Sequence, residues 1–238
     1  MRQIDLPNVD SKFIETNSAV LAELFDLVLH PDLVKTEHSS ATYFHLRYGF
    51  RGKPSRIRFR ILDPTIRWAS LDGTPDVEMD ADSFASLKLP IQRVFVTENE
   101  INFLAFPEVP RAIVVFGAGY GIKSLGYARW ITSLWLYYWG DIDTHGFAIL
   151  DELRRQFGHV KSMLMDRETM LHYRISWSVE AAQVKRELYS LTPDETQLFK
   201  DLQDGVFGDG VRLEQEKIAY THLMSVLQNL LAGEDDPS

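Results

Sequence analysis

The chain has 238 residues, a net charge of −9, 45% hydrophobic residues, 25% charged residues and no cysteine. That length suits one large domain or a compact core with an appendage, and the lack of cysteine excludes a disulfide framework and a thiolate metal site. No stretch approaches the roughly 20 apolar residues of a membrane span, the start MRQIDLPNVD has no signal-peptide pattern, and the acidic balance argues against indiscriminate nucleic-acid binding, so a soluble cytoplasmic protein is expected.

Residues 10–29, DSKFIETNSAVLAELFDLVL, read as an amphipathic helix ending before Pro31. Two extended runs follow, TYFHLRYGF and SRIRFRIL, separated by the turn signal RGKP. They predict a β-hairpin, and helix plus hairpin suggests a winged-helix-like unit over 1–90. In the second run Arg56, Arg58 and Arg60 fall on one face and Ile57, Phe59 and Ile61 on the other. With Arg47, Arg51 and Lys53 these arginines form a basic cluster on an acidic chain, the best candidate for contact with a DNA backbone. Pro64, Pro75 and Pro90 mark irregular chain before the next unit.

From residue 91 the rhythm changes. RVFVT, AIVVFG, LWLYYWG and VKSMLM are short apolar runs, and helical patterns alternate with them without tight hairpin turns. Strands buried on both faces and alternating with helices predict an α/β fold: a mainly parallel four-stranded sheet over 91–180, flanked by helices. The remainder, 181–238, is expected to be a helical extension. Thr192 with Glu195 reads as a capping box, and 212–231 reads as one continuous helix.

In open parallel sheets the functional crevice lies at the carboxyl ends of the strands. Here those ends carry Glu98, then Gly117, Gly119 and Gly121, then Asp141 and Asp143, then Asp166. Two carboxylates one residue apart repel each other unless a cation or donor sits between them. Carboxylates gathered without thiols suit a hard cation, Mg²⁺ or Mn²⁺, which leaves coordination positions for water and phosphate. Glu98 is then a metal ligand or a general acid–base group. His145 could contact phosphate or shuttle a proton, although the first turn of a helix accounts for it as well. Asp166 is a further ligand candidate that an N-cap role explains equally. Glu214 and Glu216 are candidates of which one, not both, should reach the crevice. The glycines could bring backbone amides to phosphate or simply form a tight strand-to-helix turn.

The ordered set VFVTENEINFLAF, IVVFGAGYG, YYWGDIDTHGFAIL and SMLMDRET resembles the Toprim domain. It resembles more closely the C-terminal domain of the nuclease subunit of the Wadjet anti-plasmid system, a relative of the A subunit of type VI topoisomerases. Glu98 matches the Toprim glutamate after the first strand, Asp141 and Asp143 match its Asp-x-Asp, and Gly146 also resembles the topoisomerase relatives. The resemblance extends over most of the chain. It implies a metal-dependent endonuclease acting on double-stranded, closed circular DNA, with Mg²⁺ or Mn²⁺ as cofactor and an SMC-type ATPase complex as partner. It also implies a homodimer, since cutting both strands needs two centres. No motif marks a tyrosine as nucleophile, so hydrolysis is expected in place of strand passage. Wadjet nuclease subunits carry an additional N-terminal arm, so this chain is expected to be a fragment, inactive alone, or a short relative. Two other classes compete. Phosphatases of the haloacid dehalogenase type also carry Asp-x-Asp, but with threonine or valine where this chain has His145, and after the first strand of the sheet. A non-catalytic DNA-binding scaffold with a metal site is the other.

Overall fold

A computed structural model describes residues 4, 6–38, 43–50, 54–68, 75–117 and 121–234. The chain divides into two compact units, 1–54 and 55–238.

In the first unit the expected helix is broken in two, α1 (Ser11–Thr16) and α2 (Ser18–Val28), with Asn17 between them as C-cap of one and N-cap of the other. The run at 43–50 is not a strand. Phe44–Arg47 form a short helix, α3. Local side chains hold it there: Tyr48 donates its hydroxyl to the Ala22 carbonyl at 2.9 Å and to Asp26 at 2.7 Å, and Phe44 packs beside Phe25. These contacts outweigh the β preference of its aromatic residues.

The second unit is built on one six-stranded sheet. Its strands are β1 (Arg56–Ile61), β2 (Asp76–Asp80), β3 (Arg93–Thr97), β4 (Ala112–Phe116), β5 (Trp135–Trp139) and β6 (Lys161–Ser162), in the order β2-β1-β4-β3-β5-β6. The four expected strands, β3 to β6, pair with one another in parallel. The strand count was short by two, because SRIRFRIL pairs antiparallel with β4 and with Asp76–Asp80, not with the run at 43–50. The alternation in β1 explains its capture by the sheet. Ile57, Phe59 and Ile61 are wholly buried, each contributing roughly 1.5–3 kcal/mol on the transfer scale. β6 is shorter than VKSMLM suggested, since Leu164 adopts φ 56°, which ends the extended run.

The described helices of this unit are α4 (Ala81–Ala85), α5 (Glu100–Ala105), α6 (Gly121–Leu125), α7 (Thr144–Gln156), α8 (Arg167–His172), α9 (Pro193–Gln203) and α10 (Tyr220–Glu234). Thr192 and Glu195 form the expected capping box on α9. The single helix expected over 212–231 is not formed. Val211–Arg212 make a strand, β8, paired antiparallel with β7 (Ser178–Val179), and α10 starts only at Tyr220. Burial of Leu213, at 0% exposure, and its pairing with Ile142 override helix propensity in this stretch. No described helix is long and apolar enough to cross a membrane.

Candidate active site

The site starts from the register of β3 and β5. They are parallel neighbours with Thr97 opposite Trp139, so the residues that follow, Glu98 and Gly140, leave the sheet side by side. Asp141 and Asp143 come next. Asp143 is the N-cap of α7 and accepts the Gly146 N–H at 2.7 Å. A Cβ on Gly146 would collide with the Asp141 carbonyl oxygen. The glycine three residues past the second aspartate is therefore what lets the turn bring both carboxylates to one edge. Gly140 has a similar role, because a Cβ there would strike the Tyr138 hydroxyl and lie 2.9 Å from Glu98 Oε1.

A segment distant in sequence closes the site. Ile142 and Leu213 exchange both backbone hydrogen bonds, at 2.9 and 3.1 Å, as one antiparallel bridge. Both side chains are wholly buried. Side chains alternate across such a ladder, so Asp141, Asp143, Arg212 and Glu214 share the opposite face, with Asp143 across from Arg212 and Asp141 across from Glu214. The Gln215 N–H donates to Asp141 Oδ1 at 2.8 Å. Arg212 places Nη1 3.6 Å from Asp143 Oδ2, bonds Glu214 through Nη2, and donates Nε to Ser178 Oγ at 3.3 Å.

The electrostatics follow from too many carboxylates and one arginine. Burial pushes Glu98 up to about 7; the Tyr138 hydroxyl and His145 pull it down, and repulsion from Asp141 and Asp143 pushes it further up. Burial likewise raises Asp143 to about 6, with Glu180 and Asp141 adding to the rise and the Gly146 N–H and Arg212 opposing it. Asp141 is raised by burial and by Glu214, against the Gln215 N–H and Arg212. Tyr138, wholly buried, is pushed well above its ordinary value by burial and by Glu98, so its hydroxyl stays a donor to Glu98 Oε1.

The structure thus brings together Glu98, Asp141, Asp143 and Glu214, with His145 at the exposed rim. The His145 Nε2 sits 2.8 Å from the Ala182 carbonyl and 3.7 Å from Glu180. Glu216 faces elsewhere, accepting from Asn99 at 3.1 Å. Asp166 caps α8 through the Thr169 N–H at 2.7 Å. It lines a cavity of about 820 Å³ with Arg154, Lys161 and Arg167, and none of Glu98, Asp141 and Asp143 lines that cavity. Gly117 follows β4, its N–H donating to the Thr97 carbonyl at 2.8 Å, and Gly121 opens the five-residue α6. Arg51, Lys53 and Gly119 lie outside the described residues.

The basic residues are largely spoken for. In the first unit Arg47 bonds Asp26 at 2.9 Å and the His38 carbonyl at 2.9 Å. On β1, Arg58 is clamped by Asp76 at 2.7 Å and by Glu100, and Arg60 donates to the carbonyls of Phe103 and Leu104 at 2.8 and 2.6 Å. Arg56 has a looser partner, Glu78 at 3.7 Å, and is well exposed.

Sequence reading missed Tyr138, Glu180 and Arg212. Glu180 is buried and accepts from the Thr144 hydroxyl at 2.7 Å. Tyr138 sat within an apolar run and Arg212 within an apparent helix. The alternation of charged Arg212 and Glu214 about Leu213 was the one available signal.

The family model described as Wadjet protein JetD, C-terminal, matches residues 49–227. The chain belongs to the Wadjet JetD family. A second model, described as an N-terminal region of an uncharacterized protein conserved in bacteria, matches residues 1–26. No curated protein matches the chain. Family membership suggests a role in Wadjet defence, and the JetD match spans Glu98, Asp141, Asp143 and Glu214.

Proposed function

We propose that this chain carries the nuclease centre of a Wadjet complex. The reaction is Mg²⁺- or Mn²⁺-dependent hydrolysis of phosphodiester bonds in closed circular double-stranded DNA. It would be carried out by a Toprim-like homodimer, related to the A subunit of type VI topoisomerases, together with an SMC-type ATPase complex. The observation that supports the reading is that Glu98, Asp141 and Asp143 follow the carboxyl ends of the adjacent parallel strands β3 and β5, where each is destabilised as an anion.

The donor set fits such an ion in kind, since it is all carboxylate oxygen. Among the described residues no three His, Asp or Glu side chains already converge as a metal cage. Each carboxylate instead leans on an internal donor: Tyr138, the Gln215 N–H, the Gly146 N–H and Arg212. Glu98, Asp141 and Asp143 would hold the ion, which when bound polarises the phosphate and stabilises the leaving oxygen. Tyr138 fixes Glu98 through Oε1 and leaves Oε2 either for the ion or for a proton of the attacking water. Arg56 is the described arginine of β1 best able to meet a phosphate. The internal pairing of the carboxylates supports a second reading, a DNA-binding scaffold without cleavage.

Glu98→Gln separates the two. In the complete system it should lower plasmid cleavage by at least about 10²-fold while DNA binding persists. Wild-type cleavage by this variant would overturn the assignment, and absence of cleavage by the wild type at any Mn²⁺ concentration would favour the scaffold.

A further inference from the structure

Arg212 is not an incidental surface cation. Its backbone is pinned twice, by β8 pairing with β7 and by the Ile142–Leu213 bridge next to it. Its side chain is 27% exposed, against 5% for Asp143. Three separate anchors hold the guanidinium: Ser178 Oγ on Nε, Asp143 Oδ2 near Nη1 and Glu214 Oε1 on Nη2. Glu214 is a direct partner of Nη2, whereas the Asp143 contact, at 3.6 Å, is long for a charge-assisted hydrogen bond. The arginine faces Asp141, Asp143 and Glu214 on one face of a two-strand ladder, and contributes the one positive charge of those four residues.

We infer that Arg212 is a built-in counter-ion that occupies the electrostatic place of the divalent ion and must yield it when the ion binds. The inference rests on the metal reading above. Arg212 is thus a positioning residue. It keeps the repelling carboxylates in register while no ion is present, and it sets how tightly an ion binds. A full positive charge a few ångströms away at a partly buried site opposes an incoming cation. A purely structural arginine would behave differently: its loss would loosen the ladder and weaken metal binding.

The test is calorimetric titration of Mn²⁺ into the 238-residue chain, without DNA or partners. Arg212→Gln should bind Mn²⁺ on the order of tenfold more tightly than wild type, and its melting temperature without metal should fall. Arg212→Met, which keeps the aliphatic stem, should tighten binding in the same way and serves if the glutamine variant does not fold. Arg212→Lys, which keeps the charge, should stay within about twofold of wild type. Unchanged or weaker Mn²⁺ binding in the Gln and Met variants would overturn the inference, as would tightening by Lys equal to that of Gln. Those outcomes leave wild-type Mn²⁺ binding intact. Absence of Mn²⁺ binding in wild type and variants alike would overturn the metal reading and the inference with it.

Discussion

Two arginine–carboxylate sites in the second unit answer the same physical problem in opposite ways. At one, Glu195 is buried but receives both Arg154 Nη atoms, the Ser162 hydroxyl at 2.6 Å and the Thr192 N–H at 2.8 Å. Burial pushes its pKa up, yet those four donors outweigh burial and hold it below its ordinary value. At the other, Asp141, Asp143 and Glu214 share Arg212, Glu98 has the Tyr138 hydroxyl, and Glu98, Asp141 and Asp143 are all raised. The first site satisfies its charge internally and is structural. The second leaves negative charge poorly compensated at the end of a parallel sheet, which costs stability and favours an external cation.

Removing one carboxylate should expose that contrast most sharply. Glu195→Ala strands a guanidinium that is only 9% exposed, so unfolding free energy should drop by about 3–5 kcal/mol. Asp143→Asn should do the reverse. Asparagine still caps α7, one repelling charge is gone, and metal-free stability should hold or rise slightly. Mg²⁺ or Mn²⁺ should raise the melting temperature of the wild type, and the same variant should abolish most of that rise. Chemical denaturation and thermal melts measure both. A stability loss in Asp143→Asn matching that of Glu195→Ala would make the two sites alike and remove the distinction.

The sites should also respond oppositely to acid. Glu98 has a folded pKa of about 7 against an ordinary 4.5, and Asp143 about 6 against 3.8. Between those values the folded form holds protons that the unfolded chain has released. The stability they confer is complete below the unfolded values and lost as pH rises through about 6 to 7. Glu195 and Asp151 are lowered, so their contribution is present above the ordinary carboxylate values and lost on further acidification. Metal-free protein should therefore gain stability from pH 7 to about 5 and lose it below about 4. Glu98→Gln should flatten the upper limb and leave the lower one. A monotonic fall in melting temperature from pH 7 downward in wild type would contradict the assignment.

Local pattern made much of this site legible. Glu98, Asp141 and Asp143 were readable because parallel strands with continuous apolar runs point their carboxyl ends to one crevice, and because Gly146 marks a turn with no room for a side chain. What was not legible depends on contacts far apart in sequence. The stretch 212–219 has helical character, yet it is drawn into a bridge with Ile142, some 70 residues earlier, by the burial of Leu213. The partner of β1 was misread for a similar reason. A turn signal beside SRIRFRIL suggested the preceding run, whereas Phe25, Asp26 and Tyr48 hold that run as helix in the first unit. Tyr138 was hidden because a tyrosine in an apolar strand announces packing, not a hydrogen bond to a carboxylate.

The smallest expected effect concerns β1, where the same logic of satisfied and unsatisfied charge applies with the sign reversed. Arg56, Arg58 and Arg60 share one face, but they are not equivalent. Arg58 has two carboxylate partners that raise its pKa further, and it stacks over the rings of Phe103 and Phe116 at 5.0 and 5.8 Å. Arg60 is committed to two backbone carbonyls at the end of α5. Only Arg56, with its single carboxylate 3.7 Å away and 59% of its side chain exposed, can exchange its partner for a phosphate at little cost. If this face meets DNA, Arg56→Ala should weaken binding and reduce the slope of log affinity against log salt by about one. Arg58→Ala should mainly destabilise the fold, because it leaves Asp76 and Glu100 without their cation. A salt titration of DNA binding by both variants, alongside their melting curves, separates the roles. An unchanged slope in Arg56→Ala would make the basic face of β1 a solvated edge whose arginines serve the sheet alone.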